Sequence, residues 1–365
     1  MKKILLMMLT ALLLYGCTLQ PVRQAVSPDQ SGEEQTPPTG VATQADRPEN
    51  NSGFTLSLTT LPEDYPDLLC SPAFDKEKAV FVFFEPPQGS SYNVFEYDMQ
   101  TKTNTELPIR AWSQVQLDDN AYYYLEGEVA QGMSRVQRLD RATGKTQTLY
   151  TAPEGIEIAP NLSFCDGFLL WAQFDQQVGQ KAGMSLWAYD LQRQETFSVC
   201  EACSGQSPVL LPSRGFVAFF ADDAINGYDL VNREVCLTLP VEKEPGGMVF
   251  DGHTFAWLDR AENVLHYATT QDLTAHDVDI GVSFVNLLDE NHLIYATLQD
   301  EICIYNIKQE AIVFSSANAV SLDEREVLNT VCTIDAETGT AAFVAFHKSA
   351  EPNQRDERIL WISPA

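Results

Sequence analysis

The spacing in this sequence that is best suited to chemistry is Cys200-Glu201-Ala202-Cys203. Two thiols separated by two residues can exchange with disulfides, or they can supply half of a zinc site. A redox pair needs the start of a helix beside a strand, and a zinc site needs a second pair of ligands. The sequence shows neither context, so the motif favours a local disulfide or a coincidental spacing. We therefore predict no metal site and no cofactor.

No other pattern in the sequence predicts a catalytic residue. The Gly-x-Ser-x-Gly elbow, the His-Glu-x-x-His helix, the Walker loop and the Gly-x-Gly-x-x-Gly turn are all absent. The five histidines are scattered, at positions 253, 266, 276, 292 and 347. With 51 Asp and Glu residues, a carboxylate pair at the spacing of a glycosidase would arise by chance. The sequence therefore favours a non-catalytic protein.

The elements that position these residues are predicted by a repeat. Seven apolar, β-rich segments after residue 80 tend to end in an aromatic or apolar residue, then Asp or Asn, then a polar turn. The copies are Tyr97-Asp98, Leu139-Asp140, Tyr189-Asp190, Tyr228-Asp229 and Tyr305-Asn306, with a weaker one at Tyr267-Ala268 and a truncated one at Ile362. A period of about 40–50 residues is typical of four-stranded propeller blades. The sequence therefore predicts an all-β fold, a seven-bladed β-propeller, with six or eight blades as alternatives.

The last repeat is one strand short. Its strand patterns lie at 327–334, 341–346 and 358–362, and the sequence then ends at Ala365. An unassigned segment at 54–59 alternates apolar and polar residues, as an edge strand does. We expect this N-terminal strand to complete the last blade, because the pairing closes the ring and removes exposed strand edges.

The turn at 140–145 and the aromatic-Asp strand ends resemble those of the degenerate WD40-like and TolB-like propellers of bacterial envelope proteins. The resemblance covers roughly residues 54–365, although Gly-His and Trp-Asp signatures are absent. It implies the propeller fold and, in general terms, binding of a ligand or a protein. It assigns no functional residue.

Loop length distinguishes the predicted blades. The connection between the second and third strands is short in blades four, five and six and long in blades seven, one, two and three. The long connections span 347–357, 85–91, 126–133 and 173–183, and we call them the crescent because their blades are consecutive around the ring. Binding groups concentrate in loops on a rigid scaffold. We therefore predict binding by residues in or beside the crescent: Phe84, Tyr92, Tyr124, Glu126, Phe174, Asp175, His347 and Arg355. For each aromatic residue the alternative is a core position at the end of a strand.

The N-terminal residues predict export. Lys2-Lys3 precedes an apolar run at 4–15, shorter than the about twenty residues of a bilayer-spanning helix and typical of a signal peptide. Its end, Leu14-Tyr15-Gly16-Cys17, resembles the bacterial lipobox, which implies a signal peptide at 1–16 and a lipid on Cys17. An ordinary secretory peptide is the alternative. Residues 17–53 have the composition of a disordered tether, and 54–365 form the predicted propeller domain.

The formal net charge of −28 disfavours nucleic acid and anionic lipid headgroups as partners. The sequence thus predicts a non-catalytic, extracytoplasmic binding module for a protein or glycan partner. The lipid on Cys17 would anchor it to the cell membrane or cell envelope of a bacterium. The alternatives are a carbohydrate-active hydrolase or lyase on a propeller scaffold and a structural subunit of an envelope assembly.

Overall fold

A computed structural model of the chain describes residues 53–60, 72–75, 78–83, 92–111, 113–128, 132–175, 184–203, 210–318, 326–335, 338–347 and 357–365. The predicted signal peptide at 1–16, Cys17 and the tether as far as residue 52 lie outside these residues. No helix in the described ranges is long and apolar enough to cross a bilayer.

The described residues contain 27 strands and one short 3-10 helix, Ser316–Asn318. The first nine strands are β1 (Phe54–Thr60), β2 (Ala73–Phe74), β3 (Lys78–Phe83), β4 (Tyr92–Asp98), β5 (Thr103–Ala111), β6 (Gln116–Leu117), β7 (Ala121–Glu128), β8 (Gly132–Asp140) and β9 (Thr146–Thr151). The next nine are β10 (Ile156–Cys165), β11 (Phe168–Asp175), β12 (Met184–Asp190), β13 (Glu195–Cys203), β14 (Phe216–Ala221), β15 (Ala224–Asp229), β16 (Glu234–Pro240), β17 (Pro245–Phe250) and β18 (Thr254–Asp259). The last nine are β19 (Val264–Thr269), β20 (His276–Ile280), β21 (Val282–Asp289), β22 (His292–Thr297), β23 (Ile302–Asn306), β24 (Ala311–Ser315), β25 (Glu326–Asp335), β26 (Thr340–His347) and β27 (Glu357–Pro364).

Neighbouring strands pair antiparallel into sheets that follow the chain. The first sheet contains β2 to β5, the eight-stranded sheet β6 to β13, the three-stranded sheet β14 to β16, the fourth sheet β17 to β20 and the fifth sheet β21 to β24. The closing sheet contains β25 to β27 together with β1. The leading strands of successive sheets lie against each other, β14 against β17, β17 against β21, β21 against β25 and β25 against β2. The predicted all-β propeller is thereby confirmed.

The prediction of seven blades is wrong, because the described strands form six sheets and the propeller, counted by sheets, has six blades. The second and third sequence repeats share the eight-stranded sheet. Strand β9 pairs with β8 only from Arg135 to Leu139, and Met133 of β8 pairs instead with Ile158 of β10. Sequence periodicity predicts strands, but it does not identify the partner that an open strand edge will take.

The predicted pairing of the first and last strands is confirmed. All seven residues of β1 pair with β27, from Phe54 opposite Pro364 to Thr60 opposite Arg358. The Phe54 ring also meets the His292 ring of the fifth sheet edge to face, with the centroids 5.3 Å apart. Strand β1 therefore completes the closing sheet and packs it against the preceding one.

The repeated aspartate at the strand ends holds the following turn. The Oδ1 atom of Asp98 accepts hydrogen bonds from the backbone N–H groups of Gln100 and Thr101, at 3.0 and 2.8 Å. Asp190 and Asp229 each accept two backbone hydrogen bonds in the same way. Such Asx turns satisfy backbone donors that would otherwise lack a partner. The most visible motif of the sequence is therefore structural.

The hydrophobic core is divided among the interfaces between neighbouring blades. One cluster lies between the two repeats of the eight-stranded sheet and contains the fully buried Trp171. Another joins that sheet to the three-stranded sheet, and a third joins the first sheet to the eight-stranded sheet. Side chains on the two faces of a central strand enter different clusters: in β11, Leu169 and Trp171 enter one, and Leu170 and Ala172 enter the other.

Candidate functional site

Of the crescent, the structure describes mainly the ends of the strands that its loops connect. The loop residues at 84–91, 129–131, 176–183 and 348–356 lie outside the described ranges, and with them Phe84 and Arg355. Tyr92 begins β4 and His347 ends β26, at the strand ends from which two of these loops leave. Binding through these four residues stays a prediction.

The described part of the crescent centres on the place where the second and third repeats join. We call it the junction and define it as residues 126–128, 132–135, 156–158 and 173–175, the ends of β7, β8, β10 and β11. The pairing of Met133 with Ile158 links the ends of these strands through the backbone. The junction therefore lies at one end of a single sheet, where the ends of paired strands are side by side. It is not a set of separate loop tips.

Tyr124 and Glu126 lie on one face of β7, since they are two residues apart in a strand. Tyr124 is only 4% exposed and belongs to the cluster between the first and eight-stranded sheets, where burial raises its pKa. Glu126 is half-buried, and its Oε2 atom accepts a hydrogen bond of 2.6 Å from Gln137. The same oxygen forms an ion pair of 3.3 Å with Arg135. The structure thus holds Glu126 in place and puts Tyr124 in a core position.

Phe174 and Asp175 are adjacent in β11 and therefore face opposite sides of the sheet. Phe174, opposite Glu157, packs against the cluster shared with the three-stranded sheet. Asp175, opposite Ile156, is exposed at the end of the strand. The structure thus places both residues at the same end of the sheet, but on opposite faces of it.

The sequence did not lead us to predict a second group of residues, mainly aromatic, at this end of the sheet. The Tyr150 ring centroid lies 5.0 Å from that of Trp171 and 6.5 Å from that of Trp187. The Tyr150 hydroxyl donates a hydrogen bond of 3.2 Å to Oε1 of the buried Gln173. Trp187 in turn donates from its indole N–H to Ser185 at 3.0 Å. Tyr150 and Trp187 are half-buried, so these aromatic faces are accessible in part.

The alternation of side chains along β11 could have predicted part of this group. Trp171, Gln173 and Asp175 alternate with Ala172 and Phe174, so one strand face runs from an aromatic residue through an amide to a carboxylate. Aromatic rings with nearby hydrogen-bonding groups can stack on a sugar ring or a peptide and fix its orientation. The pairing with Tyr150 depends on strand neighbours, which the sequence alone does not specify.

The four described histidines are each engaged locally. His266 contacts Asp277 at 2.8 Å, His292 contacts Asp289 at 2.8 Å, His276 lies 3.4 Å from Asp272, and His253 contacts Thr270 at 3.1 Å. In the described part of the chain, no three His, Cys, Asp or Glu side chains form a group that could hold a metal ion.

No family model and no curated protein matches this chain. Among solved structures, the chain is similar to an oligogalacturonate lyase from Vibrio parahaemolyticus, at 12% sequence identity and a TM-score of 0.51, over 85% of this chain and 98% of that one. It is also similar to an oligogalacturonate lyase in complex with manganese, at 14% identity and a TM-score of 0.50, over 87% and 99% of the two chains. At these identities the likeness shows the fold alone.

Proposed function

We propose that the chain is a lipid-anchored, extracytoplasmic propeller that binds a protein or glycan partner through the crescent, with the junction as its centre. The observation that carries the proposal is the backbone pairing of Ile158 with Met133. It fixes two long connections of the crescent relative to each other, and binding groups act best when a rigid scaffold positions them.

Side chains in the junction, and the neighbouring aromatic residues Tyr150 and Trp187, support recognition of a neutral or cationic partner. Tyr150 and Trp187 offer partly exposed aromatic faces, and Gln173 supplies an amide beside them. Glu126 is held by Arg135 and Gln137, so its carboxylate needs little ordering when a partner binds. The net charge of −28 adds a field that repels anionic partners.

The lipid anchor rests on the sequence around Cys17, and the fold is compatible with it. The tether would enter the propeller at β1, the edge strand of the closing sheet. If Cys17 carries the anchor, Cys17→Ser moves the protein from the membrane fraction to the soluble fraction of cells. Retention of that variant in the membrane fraction would contradict the proposed attachment.

Affinity capture from solubilised bacterial membranes tests the binding function. We expect Trp187→Gln to lower the recovery of the bound partner about tenfold, because partly exposed aromatic residues dominate binding energy at interfaces. The matched control is Phe216→Gln, a half-buried aromatic residue of the three-stranded sheet. An equal loss from the control would refute the placement at the junction, and circular dichroism checks that both variants fold.

Two further outcomes would replace the proposal. Turnover of oligogalacturonate by the purified chain, the substrate named for both similar structures, would make it a carbohydrate-active enzyme. A fixed-stoichiometry complex cross-linked in intact cells and unaffected by Trp187→Gln would make it a structural subunit. Captured glycans and captured proteins are separated by mass spectrometry of the eluate.

A further inference from the structure

Strand β13 is irregular where it carries Cys200 and Cys203. Cys200 lies opposite Leu186 and Cys203 opposite Met184, so three steps along β13 match two steps along β12. Two strand steps span about 6.6 Å, whereas three would span about 10 Å. The Cα atoms of a disulfide usually lie about 4.4–6.8 Å apart. The bulge therefore brings the two cysteine backbones close to the separation that a disulfide requires.

The bulge also turns both side chains to the same side of the sheet. Residues three apart in a regular strand face opposite sides. Here Cys203 is buried in the cluster between the eight-stranded and three-stranded sheets, and Cys200 packs against the same cluster. Both cysteines are free thiols. A bulge that inserts one residue is the feature that reverses the facing of one cysteine relative to the other.

The two thiols differ in exposure and acidity. Cys203 is 6% exposed, whereas Cys200 is half-buried. The contact between the two thiols lowers the pKa of Cys200, and the same contact raises that of Cys203. A more exposed thiol with a lowered pKa is the one that attacks a disulfide, and a buried neighbour resolves the product.

We propose that Cys200 and Cys203 form a thiol–disulfide exchange site that accepts a disulfide as its oxidant. The Cys200 thiolate attacks one sulfur of that disulfide, and the first oxidant thiolate leaves. Cys203 then loses its proton and attacks the Cys200 sulfur, which releases the second oxidant thiolate. The two protons pass to the two released thiolates. Two cysteine thiols are thus oxidised to one disulfide while the oxidant disulfide is reduced to two thiols.

Oxidised glutathione provides the test on the full chain. Trypsin cleaves after Arg193 and Arg214, so the peptide 194–214 contains these two cysteines and no other. We expect this peptide from the folded wild type to lose two hydrogen atoms, to resist alkylation and to recover its thiols with dithiothreitol. Mixed glutathione disulfide should accumulate on Cys200 in Cys203→Ser, about tenfold faster than on Cys203 in Cys200→Ser.

The exposed Cys236 of β16, in the adjacent three-stranded sheet, supplies a matched control. Cys236→Ser should leave oxidation of the 194–214 peptide unchanged. Equal trapping of glutathione in the two serine variants would overturn the division of roles. If the wild-type protein formed a mixed disulfide with glutathione on this peptide but no internal disulfide, the proposed exchange site would be wrong. This measurement uses the wild type alone, so it does not depend on the folding of a variant.

Discussion

Two regions of the ring arise from the same sequence repeat: the eight-stranded sheet, and the strands β14 to β24, here called the short-turn half. They differ in the connections between the paired strands of their hairpins. Asp222 and Asp223 join β14 to β15 with φ angles of 52° and 57°, as in a type I′ turn, which follows the twist of a hairpin. In the eight-stranded sheet, β7 and β8 pair as far as Glu128 and Gly132, past the last residue of β8 that pairs with β9. The open edge of β8 then takes β10 as a partner. The extension of β8 beyond β9 therefore joins these two neighbouring repeats.

The two regions also pack their blades differently. Between the two repeats of the eight-stranded sheet, Trp171 fills the interface, and Tyr150 covers it from the end of β9. Between the three-stranded and fourth sheets, Phe250 stacks on Phe255 with the centroids 4.2 Å apart. That stack fits only because Gly227 of β15 has no side chain. A large side chain thus fills the interface in the first region, whereas the aromatic stack in the second region requires a residue without a side chain.

The largest expected effect is that of Trp171→Ala. The side chain is fully buried, and its removal should lower the free energy of unfolding by about 3–5 kcal/mol, measured by urea denaturation. Because the cluster lies between the two repeats, amide hydrogen exchange should accelerate in both β8 and β11. This outcome would show that the cluster around Trp171 couples the two repeats.

Trp257→Ala is the matched change in the short-turn half. Trp257 is 7% exposed and belongs to the cluster between the three-stranded and fourth sheets, so a similar loss of stability is expected. Its effect on exchange should stay within those two sheets. Unchanged exchange in β8 after Trp171→Ala would contradict the coupling of the two repeats through this cluster.

A smaller effect is expected from Gly227→Ala. The added Cβ would lie 2.5 Å from Cε1 of Phe250 and 3.0 Å from Cζ of Phe255, and these rings are locked by their stacking. Such overpacking typically costs about 1–3 kcal/mol, and differential scanning calorimetry should show a lower Tm. Gly247→Ala is the control, since its Cβ would meet only Leu258 Cδ1, at 3.9 Å. A Tm lowered equally by both variants would contradict the role of this close approach.

Much of this fold follows from local sequence patterns. The strands, the turns behind Asp98 and its repeats, and the pairing of β1 with β27 all depend on alternation and on turn chemistry. The blade count depended instead on one pairing between Ile158 and Met133. No periodicity encodes that contact, because each strand alone has the same pattern whether its edge is covered or open.

The candidate site was less predictable for a similar reason. Loop length located the crescent, but the residues chosen along it were those beside each loop in the sequence. Phe174 and Asp175 proved to face opposite sides, and Tyr150 belongs to the group although it lies far from any long loop. Likewise, the spacing of Cys200 and Cys203 gave no hint of the bulge that turns both toward one cluster. Contacts across strands, not along them, decide these sites.

The smallest expected effect is a difference in acid sensitivity between the two regions. Burial alone would raise the pKa of Asp289, in the fifth sheet, but hydrogen bonds from His292 and the Asn291 backbone lower it below its usual value. In the eight-stranded sheet, hydrogen bonds from Thr143 lower the pKa of Asp140, whose side chain is 26% exposed. A carboxyl with a lowered pKa stabilises the fold above its unfolded pKa of about 3.9, and this contribution is lost as the pH falls through its folded pKa.

Thermal unfolding between pH 7 and pH 3 measures this difference. Asp289→Asn should lower the Tm at pH 7 and reduce its further fall on acidification by about 2 °C, a small shift because solvent screens a partly exposed pair. Asp140→Asn should change the slope less, since the amide oxygen still accepts the two hydrogen bonds from Thr143 that are the largest cause of the lowered pKa. If Asp140→Asn flattened the pH dependence as much as Asp289→Asn, the greater acid sensitivity assigned to the short-turn half would be wrong. Aspartates at strand ends would then contribute equally to stability in the two regions.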